Sequence, residues 1–131
     1  MERARFGAGM TAGVLLLSLT GCARSTSAAE DVARQFVQAV SAHDGTSACS
    51  LLTPAAAQSA GGVAKLPCAK AILHLSEQGA DVSDAQVWGD AAIVDIGSDT
   101  VFLRRLPAGW RVSAAGCTKR PDAPYDCDLE A

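Results

Sequence analysis

The chain has 131 residues, 49% hydrophobic and 5% aromatic, with 11 Lys and Arg against 14 Asp and Glu and a formal net charge of −3. That length bounds it to one compact domain, and the mild acidity excludes the basic surface that nucleic acid binding requires. Asn is absent, so N-glycosylation is excluded, and with three Lys and three Ile the composition is that expected from a GC-rich bacterial genome.

Arg3 and Arg5 make a short basic start, and residues 6–19 carry no charge. A basic n-region, an apolar h-region and small residues at the cut describe a secretory signal peptide. A membrane-spanning helix is the competing reading, but the run is short of the roughly 20 residues a span needs and holds Gly7, Gly9 and Gly13. It ends in Leu19-Thr20-Gly21-Cys22, which resembles the lipobox of bacterial lipoproteins: Leu, a small residue, Gly or Ala, then Cys. The resemblance implies cleavage after Gly21, a thioether from the Cys22 thiol to diacylglycerol, and acylation of the freed amine. The expected location is therefore the outer face of the plasma membrane, held by lipid on Cys22. Each buried methylene contributes about 0.8 kcal/mol, and with at least two chains on one Cys no polybasic patch is required. From Cys22 onward there are nine Lys and Arg against thirteen Asp and Glu, which gives no electrostatic hold on anionic lipid.

Five cysteines are an odd number for an exported protein. Assigning Cys22 to lipid leaves Cys49, Cys68, Cys117 and Cys127, most simply two disulfides in an exported domain. Structural zinc needs close Cys pairs, and these four have none. Three connectivities are open. Local order favours Cys49 with Cys68, closing a Pro- and Gly-containing loop between helical segments. The second pair would be Cys117 with Cys127, pinning a Pro-rich tail onto the last strand.

Residues 22–29 are small and polar and read as a flexible tether, with the domain expected over 30–131. Val32, Ala33, Phe36, Val37, Ala39 and Val40 recur at three- and four-residue steps, which predicts an amphipathic helix from Glu30 to Ala42 with Glu30 and Asp31 in its first turn. His43-Asp44-Gly45 ends it. A short helix follows over Thr46 to Leu52, stopped at Thr53-Pro54. The Ala-rich stretch to Gly61-Gly62 reads as loop or weak helix. Leu66-Pro67-Cys68 opens a third helix, with Ala69, Ile72, Leu73 and Leu75 on one face and a stop at Gly79. The period then switches to two. Val82 to Trp88, Ala91 to Ile96, Thr100 to Leu106 and Trp110 to Ala115 are predicted strands, joined by short Gly-containing turns that force antiparallel neighbours. The expected fold is α+β, three N-terminal helices packed on a four-stranded antiparallel meander.

This order resembles the nuclear transport factor 2-like, or cystatin-like, α+β cone, and residues 33–44 (ARQFVQAVSAHD) resemble its first helix. Residues 48–54 (ACSLLTP) with Cys68 downstream, and 109–117 (GWRVSAAGC) with Tyr125-Asp126-Cys127, resemble small lipoproteins of actinobacteria. The superfamily includes isomerases and dehydratases that use Asp or His as base and Tyr or Asp as donor, in a pocket between sheet and helices. Here such chemistry would have to draw on His43, His74, Tyr125 and Asp95. His43 reads as a residue at a helix end, meeting the negative end of the dipole. His74 reads as a helix-surface residue and Tyr125 as part of the tail. Asp95 lies between Val94 and Ile96 and reads as solvent-facing on the alternating face. Arg104 and Arg105 read as a guard against edge pairing. Trp88 and Trp110 read as turn or core packing, and Asp122, Asp126, Asp128 and Glu130 as a solvated acidic terminus.

There is no phosphate-binding Gly-rich loop, Gly-x-Ser-x-Gly or metal-spaced His cluster. The sequence therefore leads us to expect no catalytic, cofactor or metal residues. The expected function is a non-enzymatic binding or accessory module, anchored to the plasma membrane through Cys22, whose partner is an envelope protein or an apolar small ligand. A small isomerase- or dehydratase-like enzyme is the alternative.

Overall fold

Ala29, Ala33, Phe36, Val37 and Val40 lie one helical turn or one residue apart, and all five are buried along helix α1 (Gly21–Ser41). The structure is a computed structural model that describes residues 21–75 and 81–131. Residues 1–20, all but the last residue of the expected signal peptide, lie outside the described residues, as does the expected stop of the third helix at Gly79. The helix starts before Glu30 and takes in the stretch expected as a tether. No Gly or Pro stands between Ala23 and Ala42 to break it, and Ala29, fully buried, carries the apolar stripe back by one turn. Glu30 and Asp31 consequently lie within the helix, not in its first turn. Both face Arg34, whose guanidinium is 2.9 Å from Asp31 Oδ1 and 4.0 Å from Glu30 Oε2.

His43 ends α1 in a left-handed conformation (φ 58°), its amide donating to the Val40 carbonyl while the Asp44 amide reaches back to Ala39. This is a Schellman-type stop, with His where Gly is commonest. Asp44 then caps α2 (Gly45–Ser50) by accepting from the Ser47 amide. Thr53 caps α3 (Pro54–Ala64), with Pro54 in its first turn. This is the Ala-rich stretch that the sequence leaves open between loop and weak helix. The expected third helix is shorter than its pattern. It forms α4 (Cys68–Ala71), tightens into a 3-10 turn over Ile72–His74, and Leu75 is already extended.

The sheet contains β1 (Val82–Trp88), β2 (Ala91–Ile96), β3 (Asp99–Leu106), β4 (Gly109–Thr118) and β5 (Asp126–Glu130), all antiparallel and in chain order. Gly89 and Gly97 open the first two turns with φ of 56° and 59°, a backbone region that side chains with a Cβ resist. The architecture is α+β as expected, but among the described residues there are four α-helices and a fifth strand. β5 forms because Cys127 and Leu129 alternate with acids, so that Leu129 reaches the core while the strand pairs with β4.

The helices cover one face of this sheet. α1 packs across β1 to β4 and α3 across β4 and β5. The backbone of residues 51–53 bridges to β4, Val112 donating to the Leu51 carbonyl and Thr53 to the Val112 carbonyl, each at 2.8 Å. Between the layers Phe36, Leu52, Ile72, Val94, Ile96, Val101, Leu103 and Val112 are buried together with Trp110 and Leu129. Among the described residues no helix is long and apolar enough to cross a membrane.

Candidate functional site

Because strand side chains alternate, burying Ala92, Val94, Ile96, Val101 and Leu103 against the helices sends their neighbours to the opposite face. The register then assembles that outer face in rows. Trp88, Ala91, Arg104 and Arg111 lie side by side across β1 to β4. The next row is Gln86, Ile93, Phe102, Ala114 and Glu130, and the third begins with Asp84 and Asp95. The outer face is thus basic at one end, apolar in the middle and acidic at the other.

An open groove of 710 Å³ runs over the first two rows. Its apolar lining includes Trp88, Ile93, Phe102, Leu106, Pro124 and Tyr125, with Arg104 and Glu130 as its charged members. Trp88 is 55% exposed, an unusual cost for so large an apolar surface. Tyr125 was expected to lie away from any pocket. It lines this one because the disulfide Cys117–Cys127 joins residues paired directly across β4 and β5. That short closure turns the tail over the sheet and sets the Tyr125 ring edge-on to Phe102, centroids 4.9 Å apart.

At the acidic end lies a smaller polar notch of 270 Å³, lined by Asp95, Asp99, Thr100 and Lys119 among others. Asp95 is half-buried there. One of its oxygens accepts from the Thr100 hydroxyl at 2.6 Å, and the other is 4.0 Å from the Lys119 ammonium.

The remaining candidates are scattered. His43 and His74 are both exposed, His43 at the α1 stop and His74 in the 3-10 turn. Trp110 is buried beneath the Arg105 guanidinium, which stands 4.8 Å from the ring centroid. Arg105 also donates to the Gly89 carbonyl at 2.9 Å and lies 3.7 Å from Asp90, so it clamps the first hairpin turn. The edge-guard reading of Arg104 and Arg105 is therefore corrected. β3 is paired on both sides, and the two arginines project to opposite faces. The acids of the terminus, Asp122, Asp126, Asp128 and Glu130, are exposed to solvent as expected. Asp126, Asp128 and Glu130 are strand residues, and Asp126 lies 3.8 Å from Arg120. No group of three or more metal-ligating side chains comes together among the described residues.

The disulfide Cys49–Cys68 (Cα–Cα 6.2 Å) ties α2 to α4, and neither cysteine lines the groove. The groove itself escaped the sequence reading. Its one legible trace is the alternation Trp88, Ile93, Phe102, which puts large apolar residues on the face that a one-sided sheet should leave polar. Comparisons with known protein families, curated proteins and solved structures find no match to this chain.

Proposed function

We infer that this chain is a lipid-anchored, extracytoplasmic binding module that receives an apolar ligand on the outer face of its sheet. The observation that carries the reading is the groove of 710 Å³ with an aromatic and aliphatic floor. A sheet covered by helices on one face is expected to be polar on the other, and this one is apolar along its middle. The volume lies within the range of small-molecule sites. The lipobox supports the location, since an anchor on Cys22 keeps the module close to ligands and partners at the same surface.

Photocrosslinking in intact cells tests this reading, with a photoreactive residue at position 88 in the groove or at exposed Lys70 on α4, no residue of which lines the groove. Specific adducts at 88 and none at 70 are expected, and equal adducts at both positions would defeat it. The anchor is tested separately. Mass spectrometry should find acyl additions on an N-terminal Cys22, and a Cys22→Ser form that still partitions fully into detergent would exclude it.

A second reading, a small isomerase or dehydratase, has one observation in its favour. Asp95 shares the polar notch with Lys119 and Asp99. The binding reading ranks above it because Asp95 already holds the Thr100 hydroxyl, and because the notch is small and open to water.

A further inference from the structure

We propose that the groove takes an amphipathic anion, a small molecule whose carboxylate or phosphate head sits beside Arg104 and whose apolar body lies along Ile93, Phe102 and Tyr125. This rests on the binding reading above and adds to it the charge and the orientation of the ligand.

Four observations converge on it. Arg104 lines the groove, is exposed, and has no acidic partner within 4.0 Å among the described residues, whereas Arg34, Arg105, Lys119 and Arg120 each have one. Arg111 stands directly opposite Arg104 on β4 and also lacks an acidic partner, its guanidinium donating to the Trp110 carbonyl at 2.8 Å. Like charges directly opposed across a sheet destabilise it, and an anion beside them offsets that repulsion. The floor leading away from Arg104 is apolar, and beyond it Asp84 faces Asp95, with Glu130 on the flank. A negative head is thus attracted at one end and repelled at the other. Trp88 completes the basic end with a flat, exposed ring, able to cover the first part of an apolar body while its indole N–H stays wet.

The test uses the mature chain carrying Cys22→Ser, so that its own acyl groups do not compete. Decanoate, decanol and decyltrimethylammonium are titrated below their micellar concentrations at neutral pH, where the carboxylate is ionised. Binding is followed by the indole N–H resonance of Trp88 and the ring resonances of Phe102 and Tyr125. Decanoate should bind roughly tenfold more tightly than decanol, as befits one charge-assisted contact, and the ammonium should bind least. Arg104→Gln should remove the advantage of decanoate over decanol. Among the described residues the Arg104 side chain makes no ion pair or hydrogen bond, so this variant is expected to stay folded.

Equal affinity for decanoate and decanol, or an advantage that survives Arg104→Gln, would overturn the anion proposal and leave the binding reading intact. Absence of any shift at Trp88, Phe102 and Tyr125 with all three probes would overturn both. Binding to phosphatidylglycerol vesicles without binding to monomeric decanoate would also overturn the proposal, in favour of contact with a membrane surface.

Discussion

Tyr125 stands edge-on to Phe102, the ring planes at 83° and the centroids 4.9 Å apart, so that a residue of the tail and one from the middle of β3 together form part of the groove. Edge-to-face pairs contribute about 0.5–1.5 kcal/mol beyond their buried area. A double-mutant cycle with Phe102→Leu and Tyr125→Leu, read by urea unfolding, should return a coupling in that range. A coupling near zero would mean that the tail does not rest on the sheet in solution.

The disulfides should separate stability from binding. In the chain-entropy account a closed loop of 10 to 20 residues adds about 3 kcal/mol, and the two pairs span 10 and 19 residues. Replacing either pair by Ala should therefore lower unfolding stability by about 2–3 kcal/mol. Removing Cys117 and Cys127 should also weaken ligand binding, because it frees Tyr125. Removing Cys49 and Cys68, neither of which lines the groove, should leave binding unchanged in the folded fraction. Equal binding losses from both pairs would contradict this placement of the site.

Two glycines are expected to respond in opposite directions to Ala. Gly45 is buried at the start of α2, and a Cβ there would fall on the carbonyl oxygen of Ala69. Gly45→Ala should cost about 1–3 kcal/mol, the usual range for overpacking. Gly62 lies in the last turns of α3 with open space around it. Gly62→Ala should raise stability by about 0.5–1 kcal/mol through helix propensity alone. Thermal or urea denaturation of the two variants checks both signs.

Asp44 carries a pH dependence. Its carboxylate accepts from the Ser47 hydroxyl at 2.6 Å and from the Ser47 amide at 3.1 Å, and these bonds hold its pKa below the ordinary Asp value, the hydroxyl contributing most. A lowered folded value means that the stabilisation is fully present above the unfolded carboxylate value. It is lost as pH falls through the folded one, in the region below about pH 4. Carboxyl NMR titration should find the Asp44 midpoint below that of an Asp in an unfolded peptide, and Ser47→Ala should move it back upward. A midpoint at or above the peptide value would refute the cap.

Much of the fold was legible because it rests on local periodicity. Residues 82–88 and 91–96 are short runs rich in Val, Ile, Ala and Trp on either side of Gly89-Asp90, so β1 and β2 begin and end at the predicted residues, and the buried stripe of α1 follows from the spacing of Ala33, Phe36, Val37 and Val40. Where local preference is weak, neighbours decided. The sequence left residues 54–64 open because Ala favours a helix and Gly61-Gly62 does not. The Thr53 cap and the burial of Ala56 settle it. Residues 126–130 hold three acids, and by themselves they read as a solvated end. Strand pairing is a property of two segments, and it needed the open edge of β4 together with the Cys117–Cys127 bond.

The sequence by itself determined the uncharged apolar run 6–19 ahead of Leu19-Thr20-Gly21-Cys22, the cysteine count and the order of helices before hairpins. Tertiary structure alone decided what lies across the outer face of the sheet. Trp88, Ile93, the pair Phe102 and Arg104, and Tyr125 come from three different strands and the tail, four segments that only the fold brings together. They meet because the strand registers place outward residues of three strands in two adjacent rows, Trp88 and Arg104 in the first and Ile93 and Phe102 in the second, and because a disulfide folds the tail over β3. Alternation fixes which residues share a face, but exposure depends on what the rest of the chain lays over that face, and only long-range contacts set that.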